Sequence, residues 1–130
     1  MENAAKKILI VEDDQFLREF YQELLTENDY LIDVSSDGED CLRRVAEKDY
    51  DLILLDVMMP RKDGIAVLTE LKNKNFFKDK RTQVVMLTNL GQDQMIKQCF
   101  ELGAQGYLIK SALNPEQVLD EVKKLLQEVL

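Results

Sequence analysis

The stretch Asp51-Leu52-Ile53-Leu54-Leu55-Asp56-Val57-Met58-Met59-Pro60 decides the fold. Its four consecutive apolar residues, with no polar alternation, read as a strand buried on both faces, the habit of parallel sheets covered by helices. Asp56 ends that run. Pro60 and the Asp63-Gly64 pair then mark a loop before the next helical pattern, so Asp56 is expected at the carboxyl end of a central strand. In open parallel sheets, that edge is where ligands and chemistry gather.

Outward from this strand, an apolar run followed by an amphipathic pattern recurs five times along the chain. Upstream, Lys7 to Glu12 reads as a buried strand, and the spacing of Phe16, Leu17, Phe20, Tyr21, Leu24 and Leu25 predicts a helix from Asp14, its N-cap, to about Thr26. Tyr30 to Ser35 is a second strand in which Asp33 interrupts the apolar pattern, as at a sheet edge. Ser36, Asp37 and Gly38 open a helix carrying Cys41, Leu42 and Val45. Downstream, Asp63 is the expected N-cap of a helix bearing Ile65, Leu68 and Leu71, and Lys72 to Arg81 reads as a charged connection. Val84 to Leu87 is a fourth buried strand ending at Thr88. A helix through Met95, Ile96, Cys99 and Leu102 closes at Gly103, and Gly106 to Lys110 is a short fifth strand. Asn114, Pro115 and Gln117 specify the start of the last helix, whose stripe of Val118, Leu119, Val122, Leu125, Leu126 and Val129 is too short for a coiled-coil seam and docks on the sheet. Strands alternating with helices in this way call for right-handed crossovers and a three-layer α/β sandwich of five parallel strands.

The 130 residues suit a single domain, expected to span 1–130 with residues 1–6 as a short N-terminal extension. An apolar fraction of 45% with 32% charged residues belongs to a soluble globular chain. The N-terminal residues lack the apolar stretch of a signal peptide and no run reaches membrane-spanning length, so the expected location is the cytoplasm, with no membrane contact. A formal charge of -8 argues against direct nucleic-acid binding. Histidine is absent, which excludes Ser-His and Cys-His catalysis, His-ligated zinc and a phosphohistidine carrier role. Cys41 and Cys99 fall within helical apolar patterns and read as small buried hydrophobes.

The polar residues at strand carboxyl ends meet in space however distant they are in sequence. Glu12 and Asp13 end the first strand, Asp56 the third, Thr88 the fourth and Lys110 the fifth. Two carboxylates about 4 Å apart repel by roughly 4 kcal/mol at an effective dielectric near 20, so three such pairs cost about 12 kcal/mol. A positive charge must therefore sit beside them. Lys110 supplies one, and a hard divalent cation with all-oxygen ligands, for which Mg2+ fits, supplies the rest. A carboxylate held this way can attack phosphorus while metal and ammonium neutralise the phosphoryl oxygens.

At these residues the sequence resembles the receiver domains of two-component response regulators, the family of the stand-alone chemotaxis regulator. The resemblance covers nearly the whole chain and rests on Ile8-Leu9-Ile10-Val11-Glu12-Asp13, on Leu54-Leu55-Asp56-Val57-Met58-Met59-Pro60 with Asp63-Gly64, on Thr88, and on Gly106-Tyr107-Leu108-Ile109-Lys110. It implies a flavodoxin-like (βα)5 fold with strand order 2-1-3-4-5. It implies that Asp56 is the phospho-acceptor, that Glu12 and Asp13 hold Mg2+ together with Asp56 and the Met58 backbone carbonyl, and that Lys110 binds phosphate. Thr88 and Tyr107 correspond to the family's switch pair. The implied partners are a sensor histidine kinase or phosphotransfer protein and a downstream protein on the surface of the fourth helix, fifth strand and fifth helix.

Three departures stand out. Ser111 occupies the place of a proline that often follows the lysine through a cis bond, so either the loop tolerates that strain or it is trans. Asn89 follows Thr88 where a smaller residue is usual. Apolar Met58 and Leu90 occupy positions that tune the approach of hydrolytic water in relatives, which implies a long-lived phospho-form. The alternatives are an aspartate-nucleophile phosphatase of the haloacid dehalogenase type, which needs an acid where Met58 stands, and a degenerate receiver acting as a scaffold.

Overall fold

The structure is a computed structural model and describes residues 5–78, 81–89 and 91–127. Its elements are β1 (Lys7–Val11), α1 (Gln15–Thr26), β2 (Leu31–Ser35), α2 (Gly38–Glu47), β3 (Leu52–Asp56), α3 (Gly64–Asn73), β4 (Gln83–Thr88), α4 (Asp93–Glu101), β5 (Gly106–Ile109) and α5 (Pro115–Gln127). The five strands form one sheet in the order β2-β1-β3-β4-β5, every pair parallel. This is the predicted order.

The apolar runs lack alternation because both faces of the sheet are covered. Leu9, Val11, Ile53, Leu55, Val84 and Met86 pack with Cys41 and Val45 of α2, Val67, Leu68 and Leu71 of α3, and Ile96 and Cys99 of α4. On the opposite face, Ile8, Ile10, Leu52, Leu54, Val85 and Leu87 pack with Tyr21 and Leu25 of α1 and with Val118, Val122 and Leu126 of α5. Successive strand residues thus alternate between two cores, since side chains leave a strand with period two. The result is three layers.

Local signals set most helix starts. The carboxylates of Asp14, Asp37 and Asp63 accept from the backbone N–H of Leu17, Asp40 and Ala66 at 3.1, 2.8 and 2.8 Å. Asn114 and Gln117 form a reciprocal box, each side-chain oxygen accepting the other's backbone N–H at 2.9 Å. Helix α4 differs: Gln92 precedes it without a side-chain capping bond.

Strand β2 is an edge, as Asp33 suggested. The Asp33 carboxylate is anchored there by the Tyr50 hydroxyl at 2.6 Å and the Lys48 ammonium at 2.9 Å, and the Tyr50 bond leads in holding it below its ordinary range. Two expectations need revision. Helix α3 runs on to Asn73, and the following connection is not merely charged, because Phe76 and Phe77 meet edge to face at 5.3 Å and pack against the core. Gly103 then turns the chain at φ 118, where a Cβ would stand 2.7 Å from the Phe77 ring. The peptide bond between Lys110 and Ser111 is trans.

Candidate functional site

Register brings the strand ends together. Val11 pairs with Leu55, Asp56 with Leu87, and Thr88 with Ile109, so the residues at and just beyond these ends share one edge. The chain beyond each strand is held down by further backbone bonds, from Glu12 N–H to the Ser35 carbonyl at 3.1 Å and from Lys110 N–H to the Thr88 carbonyl at 2.8 Å. Behind Asp56, α3 begins so close to the strand that a Cβ on Gly64 would lie 2.4 Å from the Asp56 carbonyl oxygen. Only glycine allows this approach.

Glu12, Asp56 and Thr88 are buried, while Asp13 faces solvent. The Lys110 ammonium bridges the two buried acids, 2.8 Å from Glu12 Oε1 and 3.0 Å from Asp56 Oδ2. Burial first, and then hydrogen bonding and repulsion from Glu12, push the Asp56 carboxyl up to about 8; Lys110 opposes that rise. Burial alone would lower the Lys110 ammonium, yet the two carboxylates hold it above its usual value.

Glu12, Asp13 and Asp56 each present an oxygen within 4.8 Å of the others. Glu12 Oε1 and Asp56 Oδ2 are sealed from solvent and face the Lys110 ammonium, which offsets them. Once Asp56 is ionised, as a ligand or nucleophile must be, the Lys110 ammonium leaves the negative charge of the three carboxylates unbalanced. An all-oxygen cluster with two buried members and one wet one suits a hard cation that retains part of its water.

Met58 stands two residues past Asp56, and Thr88 one residue past Leu87, the register partner of Asp56. The Met58 N–H donates to Asp56 Oδ1 at 3.3 Å, and its side chain is half exposed. The Thr88 hydroxyl donates to Gln92 Oε1 at 2.5 Å and lies 3.2 Å from the Asn89 carbonyl. Asn89 is exposed, and Leu90 lies outside the described residues. Tyr107 is half exposed at the β5 edge, its ring meeting Phe100 edge to face at 6.2 Å.

Sequence reasoning missed three contributors. Arg18 on α1 donates to the carbonyls of Glu12 at 2.9 Å and Asp13 at 3.4 Å, bracing the acidic turn. Its signal was its place one turn past Asp14, on the side of α1 that faces the turn. Tyr21, buried on α1, has its hydroxyl raised by burial and then by Glu12, with Lys110 opposing. Gln92 gave no signal, since its role depends on how α4 approaches β4.

The family model described as "response regulator receiver domain" matches residues 8–123. The chain belongs to that family. The receiver domain is 37% identical over 121 residues to the transcriptional regulatory protein ResD of Bacillus subtilis, a match covering 93% of this chain and 48% of ResD. It is 32% identical over 122 residues to the chemotaxis protein CheY of Halobacterium salinarum, covering 94% of this chain and 98% of that protein. It therefore spans about half the length of ResD and nearly all of the chemotaxis protein. Among solved structures, the Vibrio cholerae chemotaxis protein CheY4 superposes with a TM-score of 0.83 at 25% identity, covering 94% of this chain and 99% of that one. The BeF3-activated DrrB receiver domain gives 0.79 at 31% identity, covering 95% and 99%. The receiver domain is thus a homologue of response regulators in phospho-accepting signal transduction, a family of signalling proteins rather than of enzymes. Among its described residues, no helix is long and apolar enough to cross a membrane.

Proposed function

We propose that Asp56 is the phospho-acceptor of this receiver domain and that Mg2+ is held by Glu12, Asp13 and Asp56 with the Met58 carbonyl. The observation that carries this reading is the Lys110 ammonium shared between Glu12 and Asp56 inside a three-carboxylate cluster. When bound, Mg2+ would displace the proton that burial keeps on Asp56 and shield the phosphoryl oxygens. An oxygen of the Asp56 carboxylate then attacks phosphorus. Its O–P bond forms as the donor bond breaks, P–N in a phosphohistidine or P–O in acetyl phosphate, and the bonding pair leaves with the imidazole or the acetate. Lys110 follows the new negative charge from carboxylate to phosphoryl group, and Thr88 donates its hydroxyl to another phosphoryl oxygen.

In this reading the donor is a cytoplasmic sensor histidine kinase or phosphotransfer protein. The output is a protein docked on the surface formed by α4, β5 and α5, with Tyr107 turning inward as Thr88 moves. Neither a membrane nor a nucleic acid is contacted directly. Apolar residues at Met58 and Leu90, the positions that tune the approach of hydrolytic water in relatives, make the phospho-form long-lived, and Asn89 narrows access to it; loss of most label within seconds refutes that part.

Incubation with acetyl phosphate, with and without Mg2+, tests the assignment by intact mass. The wild type gains one phosphoryl group only with Mg2+, and Asp56→Asn gains none. Mg2+-dependent modification that survives the substitution overturns the assignment.

A further inference from the structure

Gln92 is the residue of the α4 entrance whose side chain is turned the wrong way for a cap. Four of the helices begin with an Asp or Asn side chain accepting from their own first turn, whereas Gln92 Oε1 accepts from residues behind it. Its donors are the Thr88 hydroxyl at 2.5 Å and the Asn89 N–H at 2.8 Å. Two donors fill the two lone pairs of a carboxamide oxygen, so the side chain is clamped by both residues at once.

The consequence lies in proton counting. A threonine hydroxyl has a single proton to donate. While that proton points at Gln92, it cannot point at a phosphoryl oxygen on Asp56. We infer that Gln92 is a positioning residue that withholds the Thr88 hydroxyl from Asp56, and that phosphoryl capture requires its release. This rests on the reading of Asp56 as acceptor and Thr88 as donor given above.

The surroundings permit the exchange. Gln92 is half-buried and lines a hollow of about 350 Å3 bounded also by Thr88, Ile96, Phe100 and Tyr107. The released side chain has room to turn, and Tyr107 rests outside against Phe100 rather than filling the space. Releasing Gln92 gives up one neutral hydrogen bond from Thr88, a cost that reduces the apparent affinity of the site for a phosphoryl group.

Beryllofluoride in the presence of Mg2+, titrated against 15N-labelled protein, reads that affinity. Gln92→Met keeps the side-chain length but removes the strong acceptor. It is expected to bind beryllofluoride roughly two- to tenfold more tightly than the wild type, the span of one net hydrogen bond. Its Asn89 amide proton shifts upfield before any ligand is added, because that bond is also lost. Gln92→Asn, too short to reach both donors, moves affinity and shift in the same direction. In a Thr88→Ala background, Gln92→Met leaves the affinity unchanged, since no hydroxyl remains to be withheld. Unchanged or weaker binding by Gln92→Met, or an equal gain in the Thr88→Ala background, overturns the latch. A wild type that takes up no beryllofluoride, or an Asp56→Asn that takes it up equally, overturns the receiver-site reading itself and the latch with it.

Discussion

Replacing Lys110 by Met removes the ammonium that faces two buried carboxyl groups at 2.8 and 3.0 Å. The side chain is only 11% exposed, and Glu12 and Asp56 are 0% and 2% exposed, so water screens little of the interaction. Breaking a buried pair by deleting one partner typically costs about 3–5 kcal/mol, a large part of the roughly 5–15 kcal/mol that stabilises a domain. With a urea m-value of about 2 kcal/mol/M, a 4 kcal/mol loss moves the unfolding midpoint by about 2 M. The effect depends on pH. A carboxyl raised in the folded state, as Asp56 is to about 8, binds its proton more tightly folded than unfolded, so stability falls as pH climbs from its ordinary value of 3.8 toward 8. Lys110 limits that fall by attracting the ionised form. Without it, Asp56 stays protonated to still higher pH, so variant and wild type lose stability in parallel up to about pH 8 and the difference between them widens only above that. Urea titrations followed by far-UV circular dichroism in EDTA measure both arms. An unmoved midpoint at neutral pH, or a difference that fails to widen between about pH 7 and about pH 9, refutes the reasoning.

Gly64→Ala places a Cβ 2.4 Å from the Asp56 carbonyl oxygen. Although alanine favours a helix by about 1 kcal/mol, overpacking against backbone costs about 1–3 kcal/mol, so a lowered melting temperature and slower phosphorylation are expected; a higher melting temperature contradicts the geometry. Burial alone would raise the Asp40 carboxyl, but bonds from Ser35, Arg43 and Arg44 hold it down to about 2. Its contribution is present above 3.8 and is lost as pH falls through about 2, so Asp40→Asn costs about 1 kcal/mol near neutrality after solvent screening, and the gap closes in acid unfolding curves. Burial pushes the Cys41 thiol up to about 12 and the Cys99 thiol up to about 11, so a disulfide reagent at neutral pH should label both only on unfolding; rapid labelling of the native protein contradicts their burial.

Much of the fold was legible because it depends on residues within a turn or a strand of one another. Leu52 to Leu55 could be recognised as doubly covered from the lack of alternation, and Asp14, Asp63 and Asn114 as caps from their place before apolar stripes. The approach of Glu12, Asp13, Asp56, Thr88 and Lys110 followed from strand ends alone once the sheet was parallel. The Phe76-Phe77 anchor was not legible, since lysines on both sides mask two aromatics that only α3 and Gly103 bring to the core.

By itself the sequence determined five strand-helix units, the acidic edge, the need for positive charge there and, through its motif blocks, the family. Tertiary structure decided which acids Lys110 bridges, how far burial raises Asp56, and that the Thr88 hydroxyl points to Gln92 while Tyr107 rests against Phe100. The reason is one of range. Periodicity and caps are set by neighbours along the chain, whereas the direction of a hydroxyl, an ammonium or a ring at a strand end is set by whichever helix packs beside it.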